Sequence, residues 1–170
     1  MNITLILNDI VGKENVLIDT ECGSYNQDWT GKYISNPLAV VKPASTLEVS
    51  QVVRACYKNE VAIVPISGNT GLSGGTSANN AVMLSLERLN KIQKIKAQSR
   101  VAIVDAGVIL SNLHSAAEEF DLVFPLTFGA KSSSMIGGVL STNAGGSNVL
   151  KYGNTRTLCM GLEVVLPDGR

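Results

Sequence analysis

Two long stretches of this sequence carry no charged side chain, and both are rich in glycine. Residues 61–86 hold four glycines between Gly68 and Gly75, and the charge-free residues 132–150 overlap a run of six glycines that ends at Gly153. A glycine-rich loop lets another group approach the backbone closely, and its successive N–H groups can bind an anion without any lysine. The two stretches therefore predict loops that suit phosphate groups.

The composition excludes several classes of protein. A length of 170 residues predicts one domain or two small subdomains, and 45% hydrophobic against 16% charged residues excludes intrinsic disorder. Fourteen basic residues balance fourteen acidic ones, which argues against a nucleic-acid partner. Three distant cysteines and one histidine predict neither a disulfide framework nor a zinc site. With no basic leader and no apolar run near ~20 residues, a cytoplasmic protein is expected.

Hydrophobic periodicity predicts alternating strands and helices. Ser45 and Glu48 have the spacing of a capping box at the start of the first of these helices. This alternation favours an α/β or α+β fold. Strands are expected at residues 38–41, 61–64, 82–86, 91–96, 101–104 and 162–166, and helices at 46–59 and 110–120.

The two ends of the chain carry separate expectations. Residues 1–35 are predicted to form an arm over the body, because a short amphipathic start leads into the polar, aromatic stretch YNQDWTGKYISNP. The residues Pro-Asp-Gly169 predict a turn after the 162–166 strand. Because the sequence stops at Arg170, before a partner strand, we expect a truncated domain with an exposed edge and some self-association.

The first glycine-rich loop, PISGNTGLSGGT, follows a predicted strand, as nucleotide-binding loops generally do. It lacks the i, i+2, i+5 glycine spacing of the Rossmann fingerprint, and no Gly-Lys-Ser/Thr follows a glycine as in a Walker A loop. A pair of tight structural turns is the alternative interpretation. A second loop of the same kind, IGGVLSTNAGG, favours a long ligand with two phosphate groups.

Five ordered segments resemble one family. They are PISGNTGLSGG, FPLTFGAKSSSMIGG, STNAGG, KYGNTRT and GLEVVLPDGR, and the resemblance runs from about Asp28 to Arg170. These segments are similar to the FAD-binding domain of FAD-linked oxidases, the PCMH-type or vanillyl-alcohol-oxidase superfamily. The branch that they resemble holds D-lactate dehydrogenases, D-2-hydroxyglutarate dehydrogenases and the glycolate oxidase flavin subunit.

The resemblance implies an α+β fold of two α/β subdomains with FAD between them. Residues 1–35 would form the arm, 36–96 the first subdomain and 97–170 a second, incomplete subdomain, with the C-terminal substrate cap absent. The matching positions imply a pyrophosphate loop, a segment near the flavin and ribityl chain, and a second cradle. In that order they are Ser67, Gly68, Asn69, Thr70, Gly71, Gly75 and Thr76; Pro125, Gly129, Ser132 and Ser133; and Gly137, Gly138, Thr142, Asn143, Gly145 and Gly146.

By the same resemblance, the intact enzyme would oxidise a 2-hydroxy acid by hydride transfer to flavin N5. No catalytic residue is predicted within this chain, because the family's histidines belong to the cap and His114 is predicted on a helix surface. FAD would be bound non-covalently, since residues 67–70 contain no histidine and neither loop contains a cysteine. A non-catalytic FAD-binding module and, less favoured, a flavin reductase of the cell-wall-precursor type stay open as alternatives.

Two positions depart from the family pattern. Ser67 stands where a second glycine or an alanine is usual, and a positive φ there would cost more than it does for glycine. Thr127 and Phe128 replace a commoner Asp-Leu or Asp-Pro, which changes the polarity expected near the flavin.

Overall fold

The computed structural model describes residues 2–170, and the part of the chain that it describes contains six α-helices and six β-strands. Short 3₁₀ turns at Lys13–Asn15, Asp19–Tyr25 and Ala97–Ser99 join some of them. In chain order the elements are α1 (Ile3–Val11), β1 (Val16–Leu17), β2 (Ala39–Val41), α2 (Thr46–Lys58), β3 (Ile63–Ile66), β4 (Val82–Ser85), β5 (Ile92–Lys96), β6 (Val101–Val104), α3 (Leu110–Glu118), α4 (Ile136–Ser141), α5 (Val149–Tyr152) and α6 (Thr155–Leu158).

The chain forms two compact units. Unit 1 holds the residues up to Arg88 together with Val164–Arg170, and unit 2 holds Leu89–Glu163. This division differs from the predicted boundary between residues 96 and 97. The reason is that β5 pairs antiparallel with β6, and so belongs with the strand that follows it rather than with the sheet of unit 1.

Unit 1 is built on a four-stranded sheet in the order β1-β2-β4-β3. The strands β2, β4 and β3 run parallel, and Met83 on β4 pairs with Val40 on one side and Val64 on the other. Alternate side chains on these strands enter different cores, as the strand period of two requires. Val82 and Leu84 pack with α1 and α2, whereas Met83 packs with Cys22 and Ala78 on the other face.

The start of α2 has the predicted Ser45 N-cap, but the Glu48 side chain reaches one residue further back than in a capping box. Ser45 accepts a hydrogen bond from the Glu48 N–H at 3.2 Å, and the Glu48 carboxylate accepts one from the Ala44 N–H at 2.8 Å. The first contact satisfies an N–H group that the first helical turn leaves unpaired, and the second fixes the residue before the N-cap. The helix then buries Val52 and Cys56 against the sheet.

The prediction that residues 1–35 form an arm is wrong for the first part of the segment. Leu7 and Val11 of α1 are core residues, and β1 adds an antiparallel strand to β2. The apolar positions of α1 recur at helical spacing, so the helix buries one face against the sheet instead of lying outside the core. The start of the chain is therefore an integral part of unit 1.

Unit 2 combines the β5–β6 pair with α3 and the shorter helices α4, α5 and α6. Its core contains Leu110 and Leu113 from α3, Ile136 and Val139 from α4, and Leu126 from the loop between them. The Leu126 side chain therefore anchors this loop in the core of unit 2, although the loop has no regular secondary structure.

The strand predicted at residues 162–166 is not formed, because no segment within residues 2–170 pairs with it. Leu162 and Val164 are instead 67% and 61% exposed. The predicted turn at 167–169 is present, and Gly169 is buried against α2 of unit 1. The Ser50 hydroxyl donates to the Gly169 carbonyl, which fastens this turn to the helix.

Gly169→Ala tests whether the turn stabilises unit 1. Gly169 has φ +84°, and a Cβ there would lie 2.8 Å from the Ser50 carbonyl oxygen. We expect a loss of about 1–3 kcal/mol in the free energy of unfolding, measured by urea denaturation. Gly161→Ala is the control, because a Cβ at Gly161 meets nothing within 4 Å. Equal stabilities for the two variants would contradict a docked turn.

Candidate functional site

The first glycine-rich loop begins where β3 ends. Ile66 is the last residue of β3, and its carbonyl accepts a hydrogen bond from Leu86 just after the neighbouring strand β4. In parallel sheets the carboxyl ends of the strands lie at one edge, where ligands commonly bind. Residues 67–76 therefore lie at the edge of the unit 1 sheet that is typical of a ligand site.

The backbone of this loop is open in a way that fits an anion. The backbone N–H groups of residues 67–69 and 71–76 donate to no backbone carbonyl of the described chain. A Cβ added to Gly71 or Gly75 would meet nothing within 4 Å. Since residues 61–86 also carry no charge, no carboxylate of this stretch repels a phosphate. These residues can hold a pyrophosphate group through backbone donors.

The loop also contains residues that are held by the protein itself. Asn69 has φ +50°, and its side chain accepts a hydrogen bond from the Thr76 hydroxyl at 2.7 Å. Gly74 has φ +70° and lies against the ring of Tyr33. Ser67 is not among the residues with positive φ, so its side chain brings none of the backbone cost that the sequence had suggested. The left-handed conformation occurs two residues later, at Asn69, and asparagine tolerates it.

A polar cluster follows β2 and β4 at the same edge of the sheet. The Lys42 ammonium lies 2.7 Å from the Glu87 carboxylate, which also accepts a hydrogen bond from the Tyr25 hydroxyl at 2.7 Å. Burial alone would raise the pKa of Glu87, but the hydrogen bonds from Lys42 and Tyr25 outweigh it and lower the pKa. The cluster thus stabilises unit 1 at neutral pH, and this contribution is lost as the pH falls through the lowered pKa.

In unit 2, the segment predicted near the flavin is joined to the turn that follows α4. The Asn148 side-chain amide donates to the Pro125 carbonyl at 3.0 Å, and the Ser147 backbone N–H donates to the Thr127 carbonyl at 3.1 Å. A Cβ on Gly146 would overlap the Thr127 carbonyl oxygen. Gly146 therefore serves close backbone packing between the two segments.

Several polar groups of the predicted second cradle have partners inside the protein, whereas the Gly145 and Gly146 amides donate to no backbone carbonyl in residues 2–170. The Gly137 N–H donates to the Ala106 carbonyl at 2.7 Å, and the Thr142 hydroxyl donates to the Gly138 carbonyl at 3.0 Å. Asn143, at φ +49°, accepts from the Arg156 N–H at 2.9 Å. The Gly137 amide is thus engaged within unit 2.

The open positions of unit 2 lie earlier, in residues 129–133. A Cβ on Gly129 meets nothing within 4 Å, and Ser132 and Ser133 are exposed. The amides of Gly129 and Ser132 donate to no backbone carbonyl in residues 2–170, whereas the Ser133 N–H donates to Ala130 at 3.0 Å. Gly145 is intermediate, since its Cβ would lie 3.3 Å from the Asn154 and Val149 side chains.

The remaining titratable candidates have structural partners. His114 is half-buried on α3, and its Nε2 donates to the Leu126 carbonyl at 2.8 Å, so it is not simply a surface residue. Burial raises the pKa of Cys56 to about 11, as expected for a core thiol. Cys159, by contrast, lies outside the cores. Within residues 2–170 no group of three His, Cys, Asp or Glu side chains could hold a metal ion.

These features define a domain with an open glycine-rich loop, residues 67–76, at the carboxyl ends of parallel strands. Residues 37–170 match the family model described as "FAD binding domain". The chain belongs to this FAD-binding family.

Comparison with individual proteins agrees with this assignment. The chain is 49% identical over 146 residues to a D-2-hydroxyglutarate dehydrogenase of Xanthomonas citri pv. viticola, covering 85% of this chain and 31% of that protein. It is 39% identical over 150 residues to a D-2-hydroxyglutarate–pyruvate transhydrogenase of Saccharomyces cerevisiae, covering 88% and 30%. The structure superposes on 6-hydroxy-D-nicotine oxidase from Arthrobacter nicotinovorans with a TM-score of 0.81 and 25% identity, covering 91% and 34%. The chain therefore spans about a third of the length of the curated relatives that it matches.

The comparisons confirm the fold class expected from the sequence, an α+β FAD-binding domain of the PCMH type. Sequence reasoning missed Gln27 and Tyr33, which contact the first loop from residues about forty positions earlier. The available signal was the turn composition Asp-Trp-Thr-Gly between them, which predicts a local turn but not its distant contact.

Gly75→Val tests whether the first loop approaches a phosphate. A Cβ at Gly75 would meet nothing within 4 Å, so a branched side chain enters space that is open in the protein. We expect FAD affinity to fall at least about tenfold, or about 1.4 kcal/mol, in a flavin fluorescence titration, with an unchanged circular dichroism spectrum.

The matched control is Gly23→Val, on an exposed turn of the same unit where an added Cβ also meets nothing within 4 Å. It should bind FAD as the parent chain does. If Gly75→Val also keeps the parent affinity, the loop is a structural turn.

Proposed function

We propose that this chain is the FAD-binding part of a dehydrogenase that oxidises a D-2-hydroxy acid of the D-2-hydroxyglutarate type. The observation that carries the proposal is the loop at residues 67–76, in which open amides and two unobstructed glycines, Gly71 and Gly75, follow a parallel strand. The substrate class is supported by the names of the relatives, which are 49% and 39% identical to this chain.

In this proposal, the chain's own residues bind and orient the cofactor. The amides around Gly71 and Gly75 donate to the pyrophosphate. Bound FAD would accept the hydride released by the oxidised substrate carbon. Thr127 and Phe128 place a hydroxyl and an aromatic ring, instead of a carboxylate, in the segment that leads to Gly129.

The removal of the substrate hydroxyl proton is assigned to residues outside this chain. A general base must reach the proton that it abstracts, and His114 lies on α3, outside the segments assigned to FAD. Residues 2–170 thus supply cofactor binding, and on their own should not turn over a 2-hydroxy acid.

We also propose a cytoplasmic location. Its support is that the three cysteines are free thiols, two of them buried, as is usual in a reducing compartment. Within residues 2–170, no helix has the length and apolarity needed to cross a bilayer.

The attachment of FAD can be tested by acid precipitation of the flavin-loaded chain. Residues 67–70 contain no histidine, and the three cysteines lie outside both loops. We therefore expect a colourless pellet and a yellow supernatant. A yellow pellet that survives washing would contradict non-covalent binding.

The reaction can be tested by anaerobic reduction of the flavin in the product of the whole coding sequence that contains these residues. We expect D-2-hydroxyglutarate to bleach the flavin faster than D-lactate or glycolate, with L-2-hydroxyglutarate as a control of equal charge. The 170-residue chain with FAD should stay yellow under the same conditions. If none of the D-acids or glycolate bleaches the whole product, the proposed reaction is wrong; bleaching of the chain alone would show that it holds a complete site.

A further inference from the structure

The residues just before β2 form a closed turn. In residues 26–36, Gln27 and Ile34 form an antiparallel bridge, and the Asp28 N–H donates to the Tyr33 carbonyl at 3.2 Å. The buried Asp28 carboxylate accepts hydrogen bonds from the Thr30 hydroxyl at 2.7 Å and the Tyr33 N–H at 3.1 Å. The 26–36 segment is therefore fixed by its own hydrogen bonds.

This segment is attached to the glycine-rich loop at both ends of the loop. At the start of the loop, the Asn69 side chain donates to the Gln27 carbonyl at 3.0 Å. Just beyond its end, the Ala78 N–H donates to the buried Ser35 hydroxyl at 3.0 Å, and the Ser77 hydroxyl donates to the Ile34 carbonyl at 3.4 Å. The loop is thus tied to residues more than forty positions earlier.

The ring of Tyr33 lies against Gly74, near the end of the loop. A Cβ on Gly74 would lie 2.6 Å from Cδ1 and 2.7 Å from Cε1 of this ring, so the ring and the Gly74 backbone are in close contact. The next residue, Gly75, faces open space. The two adjacent glycines therefore differ in their surroundings. Gly74 packs against the Tyr33 ring, and Gly75 leaves room for a ligand.

We propose that the 26–36 segment holds residues 67–76 in the FAD-competent conformation, with Tyr33 as the positioning residue. This inference rests on the proposed function. The amides of residues 67–69 and 71–76 donate to no backbone carbonyl, so these parts of the loop depend on other contacts for a single conformation, and ordering them on binding would cost affinity. The contacts of Tyr33 and Asn69 supply that order before the ligand arrives.

The kinetics of FAD binding distinguish positioning from direct contact. A positioning residue acts only on the fraction of molecules whose loop is in the conformation that binds FAD. In that case Tyr33→Ala should lower the association rate constant about tenfold and leave the dissociation rate constant unchanged. Tyr33→Phe should restore the parent rates, since the contact uses ring carbons. Trp29→Ala is the matched control, because this aromatic residue of the same segment is 77% exposed.

Stopped-flow flavin fluorescence measures both rate constants, and circular dichroism confirms that each variant is folded. Parent-like rates in Tyr33→Ala would overturn the inference. Faster dissociation at an unchanged association rate would also overturn it, by showing that Tyr33 contacts FAD directly.

A second measurement does not depend on FAD. In the ligand-free chain, ¹⁵N relaxation of Gly74 and Gly75 should show an ordered backbone, and in Tyr33→Ala the order parameters should fall below about 0.6. A mobile loop in the parent chain would overturn the inference. Failure of the parent to bind FAD while Tyr33→Ala still loosens the loop would instead refute the proposed function alone.

Discussion

The structure of unit 1 depends on the pairing of β4 with a parallel strand on each side. Its residues Val82, Met83 and Leu84 are buried. Val82 and Leu84 belong to the apolar core on one face of the sheet, and Met83 belongs to the core on the other face. Because β2, β4 and β3 run in one direction, the segments after them meet at one edge. The glycine-rich loop and the Lys42–Glu87–Tyr25 cluster both occupy that edge as a consequence of this pairing.

The glycines of the two rich regions divide into those that face open space and those that permit close packing. Gly71, Gly75 and Gly129 belong to the first group, whereas Gly74 and Gly146 lie against the Tyr33 ring and the Thr127 backbone. The difference is chemical, because a ligand needs both room and unpaired donors. The first loop has room and, in residues 67–69 and 71–76, amides that donate to no backbone carbonyl, while the predicted second cradle has its Gly137 and Thr142 donors engaged inside the protein.

Membership of the FAD-binding family and the roughly one-third coverage of the curated relatives fit together. The described residues can hold and orient a cofactor, and His114 lies on α3, outside the segments assigned to that cofactor. A cofactor site and a substrate site are separate physical requirements, since holding FAD orders only one of the two reactants. We therefore assign cofactor binding to this chain and the choice of substrate to the wider protein.

Local patterns in the sequence determined the central strands, α2 with its Ser45 N-cap, and the place of the first glycine-rich loop, because hydrophobic period and backbone freedom act over a few residues. The first part of the second predicted loop forms the helix α4 instead. Tertiary structure alone decided four other points. It put α1 in the core, moved β5 into unit 2, left residues 162–166 unpaired and set Tyr33 on Gly74. Each of these depends on a partner distant in sequence, and neither periodicity nor turn composition specifies which distant residues will meet.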